Sequence, residues 1–426
     1  MRSLGSLVRS LALLGTAATL AACTTSTEGV DTDEGQYTSN DANVLELSFK
    51  GSVVAARGET ARKAIATQLA YLQGALTTDV RGNAQAGMPN LSNIEEELDG
   101  DKTRITYDAK LAVAWPKDRA RPTSYDVVLP ADVTALAAFN DKYDGRCGYN
   151  EYGRETFWHD WNPKAARCSI DDADVIRASG TLVPHPQETQ GKYPEYDKVW
   201  EDDTLDVVAV FGIISSNTPY DEGVRTREML LDEAQSSLED AVRTDAQPAR
   251  GILKDSTVSG KITIDGRQRR VNVTGILVHE VASAGSEFNA RYAAATENAD
   301  IVIYEGHSGL GTNINALGTH MGAKAGKYQF VYLYGCQTLG YLGPDMHAKR
   351  IALNGADVDP EGTKFLDVMA TALPAYGDNG RSTLALYRAM LDPGHPKSFS
   401  DFMSGISQLH LTVVFGEHDN TFQPAQ

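Results

Sequence analysis

The sequence predicts an α/β chain, a parallel sheet with flanking helices preceded by a smaller α+β domain, and three observations lead there. Two apolar runs, Ile301-Val302-Ile303-Tyr304-Glu305 and Phe330-Val331-Tyr332-Leu333-Tyr334, are short, rich in β-branched and aromatic residues, and closed by glycine. That is the pattern of strands covered on both faces. A third run, Val207-Val208-Ala209-Val210-Phe211, ends near Ser215-Ser216-Asn217. Strands and helices then alternate as β-α-β-α-β-x-β, the order that builds a parallel sheet with right-handed crossovers.

The elements follow in chain order. Residues 44–49 alternate like a strand, and Ala61, Ile65, Leu69, Leu72 and Leu76 mark one face of a helix. Residues 103–115 and 124–129 supply two more strands, completing an α+β unit over residues 44–200. Residues 191–203, with Tyr, Pro and charge, read as a linker. In the second unit, residues 201–426, a helix starts near Val224 with Leu230, Ala234, Leu238 and Ala241 on one stripe. Residues 270–279 form the next strand, and Ser286 is the expected N-cap of a helix carrying Phe288, Tyr292 and Ala295. Residues 382–391 read as helix and residues 411–415 as a closing strand, with no internal repeat.

Open α/β sheets bind ligands just beyond the carboxyl ends of their strands. The runs ending in Gly306-His307-Ser308-Gly309 and Gly335-Cys336-Gln337 would bring a histidine and a cysteine to one edge. A cysteine nucleophile acts as the thiolate and needs a neighbouring base or cation, so His307 beside Cys336 is the chemically useful pairing. The inert alternative is a buried thiol that merely packs.

These two blocks resemble those of the caspase–gingipain–legumain superfamily of cysteine peptidases. Tyr304-Glu305-Gly306-His307 is similar to the Tyr-x-Gly-His-Gly block of metacaspases, with Ser308 standing before Gly309 where the block has its last glycine, and Gly335-Cys336, 29 residues after the histidine, is similar to their small residue-Cys block. The resemblance covers roughly the last half of the chain. It implies a caspase-like fold and a cysteine endopeptidase acting on protein or peptide substrates. Cys336 would attack the scissile carbonyl and His307 would protonate the leaving amine. The backbone N–H of Cys336 with that of Ser308 or Gly309 would hold the oxyanion. Tyr334 stands where metacaspases carry an Asp that binds a basic side chain, so the resemblance implies no Arg/Lys specificity. The reading from another class is a surface lipoprotein without catalysis, in which the peptidase-like fold serves as a binding or scaffold module.

Residues 1–22 read as an export signal, with Arg2 and Arg9 ahead of an apolar stretch at residues 11–20 that is too short to span a membrane. Leu20-Ala21-Ala22-Cys23 resembles the lipobox of bacterial lipoproteins, whose cysteine becomes the lipidated first residue. The expectation is a chain anchored in the bacterial cell envelope through Cys23. Thr24, where an Asp would resemble an inner-membrane retention signal, directs the expectation to the outer membrane. Residues 23–43, polar and with scarcely an apolar side chain, read as a flexible tether.

The formal charge of −18 becomes −20 once the signal and its two arginines are gone. An acidic chain without a Lys/Arg cluster is not expected to bind nucleic acid. Of the four cysteines, Cys23 has a lipid to carry, and Cys147 and Cys168 form a plausible disulfide for an oxidising compartment. Such a bridge would contribute about 3 kcal/mol by the chain-entropy argument. Cys336 is left over as either a reactive or an inert thiol.

Competing chemistries are weaker. Gly306-His307-Ser308-Gly309-Leu310 misses the Gly-x-Ser-x-Gly elbow at its last position, and His418-Asp419 lacks the preceding Asp that a serine hydrolase built on Ser308 would need. The histidines show no zinc-like spacing, and His159 beside Asp160 has no second ligand nearby in sequence, so no metal or other cofactor is expected. The aromatic segment Phe157-Trp158-His159-Asp160-Trp161 within the cysteine-bounded loop reads as packing around the bridge more readily than as a recognition surface. Residues 267–270, with three arginines, read as a charged edge ahead of a strand rather than a processing site. Oligomeric state is not legible.

Overall fold

The computed structural model describes residues 36–416, 420 and 422–424. The signal segment, the lipobox with Cys23, the tether up to residue 35, and His418-Asp419 lie outside the described residues. Among the described residues, no helix is long and apolar enough to cross a membrane.

Among the described residues fifteen strands form two sheets. In chain order they are β1 (Gln36–Thr38), β2 (Ala42–Ala56), β3 (Asn83–Ala84), β4 (Asn90–Asp99), β5 (Lys102–Pro116), β6 (Ser124–Pro130), β7 (Val175–Pro184) and β8 (Thr204–Gly212). They continue as β9 (Glu239–Asp245), β10 (Ile252–Ile264), β11 (Arg267–Val278), β12 (Ile301–Glu305), β13 (Gln329–Tyr334), β14 (Leu366–Thr371) and β15 (Thr412–Gly416). The smaller sheet runs β3-β5-β2-β7-β6, with β4 also paired to β5, and is antiparallel throughout. The larger runs β1-β15-β14-β13-β12-β8-β11-β10-β9 and is mixed. The architecture is therefore mixed α/β, a smaller sheet-containing domain followed by a larger mixed-sheet domain flanked by helices.

The small sheet is built around β2, whose side chains alternate between buried and half-buried. That period of two lets one face pack against the helix Ala61–Val80. The predicted stripe of that helix, Ala61, Ile65, Leu69, Leu72 and Leu76, is buried in full. Gly74 on the same helix lies so close to the Trp158 carbonyl that a Cβ would collide with it. Of the aromatic segment predicted to pack around the bridge, Phe157 and Trp161 do so, buried in one core with Cys147, whereas Trp158 is only partly buried and lines a groove.

Five strands of the large sheet, in the order β11-β8-β12-β13-β14, are parallel. Neighbouring residues of each strand feed opposite faces. Val208, Val210, Val302 and Tyr304 pack with the helices Ser286–Thr296 and Thr312–His320. Val207, Ala209, Ile301 and Ile303 pack with the helices Glu222–Ser237 and Arg381–Met390. The first of these cores also takes in Ala42, Val44, Met88, Ala112 and Ala114 of the small domain, so the two domains share one apolar interior. Gly87 sits against the Leu342 carbonyl across that boundary, where a side chain would not fit.

Several sequence expectations are corrected here. The sheet is parallel only at its centre, because the antiparallel strands β9 and β10 extend one flank and β15 and β1 the other. Leu238 and Ala241 do not continue the helix stripe: that helix ends at Ser237 and Ala241 belongs to β9. The arginines of residues 267–270 lie inside β11, not ahead of it. Gly285, not Ser286, is the N-cap, and it has no side chain with which to cap the helix. The linker segment buries Tyr196, Val199 and Trp200 in the large domain's core. The end of the expected tether is also structured: Gln36–Thr38 pairs with β15, and β2 begins at Ala42. Tyr37 supplies the apolar anchor, its ring stacked on Phe415 with centroids 6.0 Å apart.

Candidate functional site

Parallel register sets Glu305 beside Tyr334 at the ends of β12 and β13. His307 and Cys336 each stand two residues beyond those ends, on the same edge of the sheet. The topology expected from sequence is present at this level. The side-chain chemistry is not.

His307 is exposed, and its Nε2 donates to the Ile214 carbonyl at 2.8 Å, beyond the end of β8. Its own carbonyl accepts from the Asn313 side chain at 2.8 Å and from the Tyr304 hydroxyl. Ser308 is buried, with its carbonyl accepting the amides of Gly311 and Asn313 as the next helix begins. Gly309 follows at φ 60°, a left-handed conformation that glycine adopts without a steric penalty. The loop after β8 is fixed by Asp221, which accepts backbone N–H groups from Ile214, Ser215 and Ser216. Burial works to raise that carboxyl, but the backbone donors outweigh it and hold it low.

Cys336 is half-buried, and its Sγ contacts the Ala375 carbonyl at 3.8 Å. Burial pushes the thiol above its ordinary range, a shift the Ala375 contact only partly offsets. Among the described residues no hydrogen bond joins Cys336 to His307. A nucleophilic cysteine requires the opposite, a pKa lowered by a base or a cation beside it.

Beside the thiol lies a residue that sequence reading passed over. Gln337 is buried and adopts the left-handed conformation, φ 54° and ψ 33°. Its Oε1 lies 2.9 Å from His159 Nε2 and accepts from the Tyr341 hydroxyl at 2.9 Å. Its Nε2 donates to Thr77 at 3.0 Å. Two of those three partners belong to the smaller domain, and His159 lies on the loop closed by the disulfide. His159 Nδ1 is 3.4 Å from Asp160, an ion-pair contact without good hydrogen-bond alignment. Burial works to lower the pKa of His159, but Asp160 and Gln337 together raise it.

Beneath this edge Glu305 is buried, accepting from Thr226 at 3.1 Å and Thr383 at 3.0 Å. Burial first, and the nearby Asp378 second, push its carboxyl up to about 8. A groove of about 540 Å³ opens on the neighbouring face between the domains. Tyr71, Trp158 and Tyr341 line it with Thr67, Asn140 and Asn315.

Cys147 and Cys168 form the expected disulfide. With that pair bonded, and with the remaining described thiol turned to the Ala375 carbonyl and raised by burial rather than hydrogen-bonded to a base, the expected Cys–His dyad does not form. The reading as a cysteine endopeptidase, and as a hydrolase, is corrected accordingly. The serine alternative gains no support, since Ser308 is buried and the neighbouring His307 ring bonds the Ile214 carbonyl. Among those residues no group of three His, Cys, Asp or Glu side chains is arranged to hold a metal ion. No protein-family model matches the chain, and no curated protein matches it.

Proposed function

We propose that the chain is a non-catalytic lipoprotein of the bacterial cell envelope, whose larger domain has a caspase-like fold and serves as a binding module for a protein or peptide. The observation that carries this reading is the geometry of the strand-end pair: Cys336 is turned to the Ala375 carbonyl, where burial raises its thiol, and His307 is engaged by the Ile214 carbonyl. Strand order supports the fold assignment. Counted from β8, and setting aside the β9 and β10 insertion, the sheet reads 2-1-3-4-5, with an antiparallel sixth strand at its end. Anchoring through the lipobox cysteine Cys23, in the outer membrane, completes the proposal.

The interdomain groove is the best binding surface for an extended peptide. Aromatic faces supply contact area with little conformational entropy to lose, and amide and hydroxyl side chains orient a backbone. The test uses the full chain and a mixed peptide library. Intact peptides should be retained by the wild type and lost from Trp158→Ala and Tyr341→Ala, with no new peptide termini formed. Cleavage that disappears in Cys336→Ala would overturn the proposal.

A further inference from the structure

The geometry points to Gln337 as a strained interdomain latch, through which the disulfide-closed loop of the smaller domain fixes the Cys336 turn of the larger one. A side chain bearing a Cβ is disfavoured in the left-handed region and persists there only where its surroundings over-determine it. Gln337 is over-determined: His159 and Tyr341 converge on its side-chain oxygen Oε1, and its side-chain Nε2 donates to Thr77. The loop that presents His159 is itself held. Cys147–Cys168 closes it, Asn162 N donates to the Cys147 carbonyl at 2.6 Å, and the Trp158 backbone lies against Gly74. The Trp158 ring meets Tyr341 edge-on at 6.1 Å, next to the latch.

Release of His159 or Thr77 weakens the restraint while the strain at Gln337 remains. The turn then relaxes toward ordinary backbone conformations and carries Cys336 away from the Ala375 carbonyl. The smaller domain thereby controls access to the free thiol, which reports the state of the latch. The latch acts through His159, Thr77 and Gln337 whatever the groove binds, so the two fail separately.

The experiment measures alkylation of Cys336 by N-ethylmaleimide in the full chain, with the disulfide intact and the labelled residue identified by peptide mapping. His159→Ala should accelerate labelling about three- to tenfold, the change expected from losing one hydrogen bond worth about 1 kcal/mol. Gln337→Gly keeps the backbone conformation without strain. In that background His159→Ala should add nothing, because its effect passes through the Gln337 side chain. If His159→Ala does not fold, Thr77→Val reads the other arm of the latch with the same expectation. Labelling within twofold of wild type in the folded single variant would overturn the latch, as would a His159→Ala effect that persists undiminished in the Gln337→Gly background.

Discussion

His159 Nε2 lies 2.9 Å from the Gln337 side-chain oxygen, joining residues 178 positions apart across the domain boundary. The contact sits between the disulfide-closed loop and the turn that bears the free thiol. Its strength depends on the protonation of the imidazole.

Asp160 and Gln337 raise the pKa of His159 against the effect of burial. A raised histidine stabilises the fold fully below its unfolded pKa, about 6.5, and that contribution is lost as pH rises through the folded value. Amide exchange over residues 157–162 should therefore be slow at pH 6 and quicken through the neutral to alkaline range, after correction for intrinsic exchange. His159→Gln should remove this dependence. Equal pH dependence in the variant would assign the effect to another group.

Glu305 titrates in the opposite sense from a salt-bridged carboxylate. Its folded pKa of about 8 exceeds the unfolded value, so its contribution is favourable at low pH and is lost as pH rises through about 8. Glu305→Gln keeps an acceptor for one of the two threonine hydroxyls and offers an amide donor to the other, without a charge to bury. Thermal melts from pH 5 to 9 should show the variant gaining on wild type as pH rises, by up to a few kcal/mol. A constant difference across that range would count against a neutral buried acid.

The state of Cys336 is measurable from the pH dependence of its alkylation. Burial raises the thiol, so the rate should climb with a midpoint above that of a free cysteine, and His307→Ala should leave the midpoint unchanged. Fast alkylation near pH 6 that needs His307 would indicate the activated pair that the structure lacks.

Removing the bridge by Cys147→Ser with Cys168→Ser should lower unfolding free energy by about 2–5 kcal/mol, as is usual for a native disulfide. Denaturant melts would check this. An unchanged midpoint would mean that packing of Phe157 and Trp161 holds the loop without help.

Gly87→Ala places a Cβ against the Leu342 carbonyl across the domain boundary. Overpacking of this kind costs about 1–3 kcal/mol. The loss should appear in melts and as faster proteolysis between the domains; wild-type behaviour would show that the boundary yields freely.

The features legible in the amino-acid order alone are local and periodic. The buried runs at residues 301–305 and 330–334, the helix stripe from Ala61 to Leu76, and the cysteine pair all stand in the structure as read. The strands and the helix are legible because a period of two and a period of 3.6 are imposed by backbone geometry on neighbouring residues. The strands β9 and β10 were not legible, since their polar residues carry no clear alternation, and Gln36–Thr38 is too short to announce a strand. The edge that gathers His307 and Cys336 followed from strand order. What surrounds those two side chains was settled by long-range packing, because the ionisation of a thiol depends on desolvation and on which groups face it. Ala375, Ile214, His159 and Thr77 reach that edge from four separate parts of the chain, and hydrogen bonds between distant residues leave no periodic trace in the sequence.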